Sequence, residues 1–505
     1  MDPVIIIDNR PLWAILISLV AATLILSASK RPNLRESITI FAAVGKTAIV
    51  FSMLPAVLAG KVFETTPLYI AEGISLHLRA DAAGIMFAAL ASFLWVITSF
   101  YSIGYMRSLR EKHQTGYYAC FALCLSSAVG IAFSANLLTF FVFYEILAIS
   151  AYPLVVHKRN KEAIGAGRKY LVYALVAGQL LLLSIIWIQT ICGDGTFQSG
   201  GFLAGKASTP TLLAIFVLMV AGVAVKAGIM PLHGWLPAAM VAPTPVSALL
   251  HAVAVVNAGV FGIIRIVGYV FGPRLLEEIG AATVLAWVAS FTIIAASLIA
   301  LGQDNLKKRL AYSTVSQLSY MVLGACLLAP SGFAGGIFYM VAHSFMKITL
   351  FFCAGAIYAT YKISNISEMK GIGQKMPYTI SAFTLGAFGI SGLPFLIGFI
   401  GKWNIALGAV QGGQGIFIAV LIGSALLSVG YFMPVVYMAF FQKSGDVTTP
   451  ALPGREARPI ILVPLALTAA LSLILGIFPN FGVGFYNLAA MAANSIFSGI
   501  LPGGG

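Results

Sequence analysis

Charge is what this sequence has least of. Of 505 residues only 9% are charged, and acids are the scarcer sign, 16 Asp and Glu against 30 Lys and Arg. Soluble domains carry about 25% charged residues. No single soluble core absorbs a chain that is 60% hydrophobic, with a mean hydropathy of +0.96. Cysteine is scarce as well: Cys120, Cys124, Cys192, Cys326 and Cys353 all fall in or near apolar runs. Cys120 and Cys124 share a helix face, but no second pair or histidine cluster completes a metal pattern, so the five read as small apolar residues. Phosphate loops are missing. "VGKT" at 44–47 resembles the end of one, yet the glycine that motif needs at position 40 is Ile40, and "GIGQKM" has Met376 where a third glycine would stand. No nucleotide, flavin, iron–sulfur or metal site is expected on this chain, and any redox chemistry would belong to other chains.

What is present is a succession of apolar runs near the ~20 residues that a membrane-crossing helix needs. The expected fold is an all-α polytopic membrane protein of about fourteen transmembrane helices. The spans fall near 11–29, 38–59, 80–106, 117–135, 137–156, 168–191, 211–229, 246–270, 281–301, 311–329, 334–360, 377–409, 415–441 and 459–478. The tail "FYNLAAMAANSIFSGI" reads as a short interfacial helix. The first span lacks an A-x-A cleavage pattern and is expected to be retained.

Lysine and arginine set the orientation. Loops after odd-numbered spans hold twenty of them, against five in the N-terminus and the loops after even spans: Arg10, Lys61, Arg79, Lys206 and Arg274. Odd-ended loops are therefore expected in the cytoplasm and both termini outside, in the plasma membrane of a prokaryote. The +14 net charge is explained by the positive-inside rule and needs no nucleic acid.

Five bases remain inside the spans: Lys46, Lys226, Arg265, Lys347 and Lys402. Among the acids only Glu145, in "LTFFVFYEILAISAYPLVV", lies deep; Asp81 opens the third span. A charge at the bilayer centre costs roughly 2.5–3.5 kcal/mol on insertion scales, so such groups pair or face polar cavities. His251 and His343 add groups that titrate near neutral pH. A row of lysines and histidines suits a proton path, because their charged forms are costly when dehydrated.

Two of the lysines adjoin helix breakers. Lys226 precedes Pro231 in "VKAGIMPLHGWLPAAMVAPTPVSALLHA", which also holds Pro237, Pro243 and Pro245. Lys402 follows Pro394 in "GISGLPFLIGFIGKW". Proline removes a backbone donor, and irregular backbone at membrane depth is tolerated only where it is buried in protein or lines a wet cavity. The seventh and twelfth spans are thus each interrupted, five spans apart. That spacing fits two inverted five-helix repeats, spans 4–8 and 9–13, since an odd number of spans reverses topology; paired interrupted helices point to a transport site. The organisation expected is 1–110 for spans 1–3, 117–270 and 281–441 for the repeats, and 459–505 for span 14 and the tail. In "VAHSFMKITLFF", His343 and Lys347 are four apart on one helix face. The plain alternatives are a structural ion pair for Glu145 and Lys226, core histidines at 251 and 343, and an interface-seeking Lys402. Lys46 is expected to be structural or partner-facing, Arg265 to snorkel, and His233 to be either structural or part of a proton inlet.

Taken together, "FFVFYEILAISAYPLV", "VKAGIMPLHGWLPAAMVAPTPVSALLHA", "QDNLKKRLAYSTVSQLSY", "HSFMKITLFFCAGAI" and "SGLPFLIGFIGKW" resemble, in order, the antiporter-like subunits shared by respiratory complex I, Mrp-type sodium/proton antiporters and membrane-bound hydrogenases. The resemblance covers spans 3–13. It implies an ion pair between Glu145 and Lys226, His251 as the connecting group on the eighth helix, His343 and Lys347 as the lateral continuation, and Lys402 as the terminal lysine. Asn257 stands where many members carry a lysine, which leaves the local relay to His251. In length the chain resembles the middle complex I subunits, and in residues the distal, histidine-bearing type; relatives of that type continue into a long lateral helix after span 14, whereas this chain ends at Gly505. The expected function is a proton-translocating subunit of a multi-subunit energy-converting complex, working with other membrane subunits and the lipid bilayer. A sodium/proton antiporter module without redox coupling and a proton-coupled inorganic-carbon uptake subunit are the alternatives.

Overall fold

The structure, a computed structural model, describes residues 4–71, 73–442 and 456–498. Most of the loop at 443–458 and the end of the tail beyond 498 lie outside the described residues. Long helices dominate: α1 (Arg10–Ser27), α2 (Pro32–Leu58), α3 (Ala82–Ser108), α4 (Gln114–Ala132), α5 (Leu137–Val155), α6 (Lys161–Cys192) and α7 (Thr209–Ala227). There follow α8 (Val246–Phe271), α9 (Ala281–Leu301), α10 (Leu306–Cys326), α11 (Pro330–Tyr361), α12a (Pro377–Ser391), α12b (Ile397–Gln411), α13 (Ile416–Phe441), α14 (Pro459–Ile477) and the short α15 (Phe485–Phe497). Among the described residues, 12 helices are long and apolar enough to cross a membrane. Two expected spans are outside that set for visible reasons. Basic and hydroxyl residues dilute the hydropathy of α10, and the twelfth span is broken into two 15-residue helices.

The chain is not purely helical. Five short strands cap the end where α2 and α3 meet: β1 (Val4–Ile7), β2 (Lys61–Glu64), β3 (Leu68–Ala71), β4 (Ile74–Leu76) and β5 (Arg79–Ala80). β1 runs parallel to β2, β2 antiparallel to β5, and β3 with β4 forms a separate hairpin.

Local chemistry explains several helix starts. Asp81, Asn136, Asn160 and Asn305 each accept a backbone N–H three residues on, the usual N-cap arrangement. Asn305 thereby begins α10, while Asp304 beside it receives the N–H and hydroxyl of Ser367. The centre of the molecule is α8 and α11, whose membrane windows are wholly buried. α11 packs against α3, α8, α10, both pieces of α12, α14 and α15. α8 is unusual along its length: Val246–Ala254 and Ile266–Phe271 are wound as π-helix, a distortion that recurs at functional sites.

Candidate functional site

Lys226 sits in the last turn of α7, which stops at Gly228 in the left-handed region (φ 70). Pro231, Pro237, Pro243 and Pro245 then prevent the helix from resuming until α8, and a short helix, Trp235–Ala238, folds into the gap. Trp235 Nε1 donates to the Val225 carbonyl at 2.6 Å, closing part of the helix end. Lys226 is almost fully buried. Its ammonium donates to the Tyr144 carbonyl on α5 at 2.5 Å and lies over the Tyr144 ring, 3.2 Å from the centroid.

Glu145, the next residue, is half-buried. The expected direct ion pair with Lys226 is not formed: the ion pairs within 4 Å among the described residues do not include it. Consecutive helix residues point about 100° apart, and the carboxylate packs on Gly178 of α6 instead, where an added Cβ would lie 2.7 Å from its Cδ. Glu145 Oε1 has no hydrogen-bond partner in the protein. The two charges are nevertheless near enough to act on each other electrostatically.

His251 lies in the first π-helical stretch of α8, edge-on to Trp235 at 5.9 Å. It is buried, and neither ring nitrogen meets a protein partner. Lys307, at the start of α10, sits close enough to act on it electrostatically and donates to the Ala242 carbonyl at 2.6 Å. Lys307 also lines a cavity of about 250 Å³ with Lys158, Glu162, Thr244 and Tyr358. Sequence reasoning counted Lys307 only as a loop charge. Its signal was present in "QDNLKKRLAYS", but nothing in the sequence ties it to the broken segment 65 residues earlier.

His343 and Lys347 are fully buried on α11. Both imidazole nitrogens of His343 lack a protein partner. Lys347 does not bond to it; its ammonium donates to the Leu310 carbonyl at 3.1 Å and faces the Phe432 ring at 5.6 Å. Asn257 Nδ2 donates to Ser344 Oγ at 3.0 Å, tying α8 to α11 beside His343. Beyond Lys347, Gln317 and Tyr339 share a short hydrogen bond, and Tyr431 exchanges bonds with Ser313 and Ser428 at 2.9 and 3.0 Å.

Lys402 occupies the second break. α12a ends at Gly392 (φ 87), Pro394 follows, and α12b restarts after Leu396. From α12b, Lys402 reaches back across the gap to the Ile390 carbonyl at 2.5 Å and lies near the rings of Tyr320 and Tyr339 at 4.7 and 5.9 Å. It is 9% exposed, so it does not snorkel. Both lysines thus donate to backbone carbonyls, but only Lys402 meets one in the last turn of a helix, where the negative end of the dipole favours it; the Tyr144 carbonyl lies in the middle of α5. His233 is in the first gap, half-buried, with Nδ1 unpartnered.

The expectation that Arg265 snorkels is also corrected. Arg265 is 2% exposed; it is enclosed with the rest of α8 and forms a two-bond pair with Asp81 at 2.6 and 3.0 Å. Of the two roles expected for Lys46, its full burial inside the chain removes only the partner-facing one. Among the described residues no group of three or more His, Cys, Asp or Glu gathers to hold a metal ion.

A multi-pass membrane fold with a buried row of bases between two broken helices defines an antiporter-like membrane subunit. The chain belongs to the family described as NADH:quinone oxidoreductase/Mrp antiporter, TM, which matches residues 134–428. NADH-quinone oxidoreductase subunit N of Desulforudis audaxviator is 30% identical over 421 residues, covering 80% of this chain and 82% of that one. Two solved structures share the fold. A chain of the Mrp complex from Dietzia superposes with a TM-score of 0.86 at 21% identity, covering 97% of this chain and 98% of that one. A chain of an archaeal membrane-bound sulfane sulfur reductase, a respiratory membrane complex, superposes with a TM-score of 0.83 at 24% identity and the same coverage.

Proposed function

We propose that this chain moves protons through Lys226, His251, His343, Lys347 and Lys402, with Glu145 modulating Lys226, as one subunit of a multi-subunit energy-converting membrane complex. The supporting observation is that His251 and His343 are buried with all four ring nitrogens free of protein partners. A buried polar group left unsatisfied costs about 1–3 kcal/mol, so these rings call for water, and water beside alternating imidazoles and amines is a proton path. In this reading a proton enters from the cytoplasm through the cavity beside Lys307, is taken up by Lys226 and passes to His251. It then passes along water held by Asn257 and Ser344 to His343 and Lys347, and leaves from Lys402. Each base takes a proton on its nitrogen lone pair and hands one on, with Glu145 tuning Lys226 at a distance.

The same reading takes fourteen spans, with 4–8 and 9–13 as inverted five-helix repeats broken at Pro231 and Pro394, both termini outside, in a prokaryotic plasma membrane. Proton transport is preferred over sodium transport because a hard cation needs oxygen ligands, and this file has one carboxylate among five nitrogen bases. The test is Lys226→Ala in the purified complex reconstituted in vesicles. Proton flux should vanish while assembly persists; normal flux would remove Lys226 from the path, and a flux that requires sodium would favour a sodium/proton antiporter module.

A further inference from the structure

Lys46 has no part in that path. It sits near the middle of α2, 0% exposed, and donates to the Leu125 carbonyl of α4 at 2.8 Å. The Trp95 ring of α3 lies 5.3 Å from its nitrogen. An added Cβ on neighbouring Gly45 would touch Ile17 at 2.7 Å, which places Ser18 of α1 at the same depth. α1, α3 and α4 are the helices packed against α2, and none of them brings a charged group against the amine.

A buried ammonium with one carbonyl and no counter-ion is costly. A neutral amine there accepts a proton readily only if water reaches it. The structure offers the means on one side. Ser18 Oγ, Trp95 Nε1, Thr98 Oγ1 and Tyr118 Oη are all buried without a protein partner. Ser102 and Tyr117 join at 2.9 Å between them and the helix ends. At those ends a cleft of about 490 Å³ is lined by Arg35, Glu36, Arg107, Glu111 and His113. Arg35 is buried, lies over the Tyr118 ring at 5.3 Å and has an unbonded Nε. Away from the cleft Ser92 Oγ, one turn before Trp95 on α3, also lacks a partner, but Ser126 is bonded to the Ile15 carbonyl and Ser127 to the Leu123 carbonyl, and Val50 and Met53 are buried and apolar.

We propose that α1–α4 enclose a second, dead-end proton well, running from the Arg35–Arg107 cleft past Tyr118 and Thr98 to Lys46. A hydronium at the cleft gives its proton along the water file to the Nζ lone pair, leaving water behind, and the proton returns by the same route. The well loads and unloads one charge from one side of the membrane without passing it across.

Accessibility to silver ions tests this. In a cysteine-free full-length background, single cysteines are placed by Thr98→Cys, Lys46→Cys and Val50→Cys, in right-side-out and inside-out membrane vesicles. Arg110→Cys, exposed at the cleft, establishes which side the cleft faces, so a wrong assignment of orientation is separated from a missing well. Cysteines at 98 and 46 should react at least tenfold faster from the side where the one at 110 reacts, and the cysteine at 50 from neither. Thr98→Cys is nearly isosteric and covers the case in which Lys46→Cys does not fold. Failure of the cysteine at 98 to react from the cleft side, or equal rates from both sides, overturns the proposal.

Discussion

Lys226 and Tyr144 are joined twice, the ammonium donating to the tyrosine carbonyl at 2.5 Å while lying 3.2 Å from the centre of its ring. The nearest company of the buried charge is therefore neutral. A cation over a desolvated aromatic ring gains about 2 kcal/mol, and a hydrogen bond to a charged group about 1.5–3 kcal/mol. Together they hold Lys226 in place whatever the state of Glu145. The acid is thus free to modulate the lysine, since its loss does not release the lysine from its site.

Glu145→Gln follows from this. Glutamine keeps the volume beside Gly178 and removes only the charge. Proton flux in reconstituted vesicles should fall by roughly tenfold, the equivalent of ~1.4 kcal/mol, with the complex still assembled. A fall as complete as that of Lys226→Ala would instead make the carboxylate an obligatory carrier.

The lysines at 226 and 402 were legible in the sequence, because each is a charge in an apolar run beside glycines and prolines that no continuous helix would keep. Their partners were not. Hydropathy says that a buried ammonium needs an acceptor, and the family resemblance pointed to Glu145; the backbone carbonyls of Tyr144 and Ile390 were invisible because every residue carries one. Arg265 looked able to reach water from near the end of its span. It cannot, because neighbouring helices enclose α8 completely, and its counter-ion comes from Asp81, 184 residues away. The five strands escaped notice because two to four residues between apolar spans make no alternating pattern.

Asp81 serves two purposes that one substitution separates. It caps α3 through the Gly84 N–H and neutralises Arg265. Asparagine caps as well as aspartate does, so Asp81→Asn leaves the cap and strands the guanidinium. Removing one partner of a buried pair costs about 3–5 kcal/mol, and some of this is relieved here because Asp81 is partly exposed. The variant should unfold at clearly lower temperature in detergent, and adding Arg265→Met should restore part of the loss. Additive effects of the two changes would mean that the pair is not coupled.

Glu64, on β2 outside the spans, gives the fold an acid-sensitive fastening. His77 at 3.4 Å and the Arg79 guanidinium at 2.6 Å favour its charged form and hold the carboxyl below its ordinary value of 4.5. A carboxyl whose folded value is depressed contributes stability above its unfolded value, and that contribution disappears as the pH drops through the folded one. Wild type should therefore melt above Glu64→Gln at pH 6, by on the order of 1–2 °C. The gap should shrink as the pH falls below 4.5. A gap that is constant across that range would trace to packing, not ionisation.

Gly392 sets the position of Lys402. Its φ of 87 is strained for any residue with a side chain, and an added Cβ would stand 3.2 Å from the lysine Cδ. Gly392→Ala therefore combines backbone strain of order 1–3 kcal/mol with a push on the stem that carries the ammonium to the Ile390 carbonyl. Lys402 would lose its acceptor across the break while the rest of the file stayed intact. Flux in vesicles should drop by at least tenfold, whereas Gly413→Ala, also at positive φ but with open space around its Cβ, should cost stability alone. Equal flux in the two variants would show that the seating of Lys402 at the gap does not limit proton release.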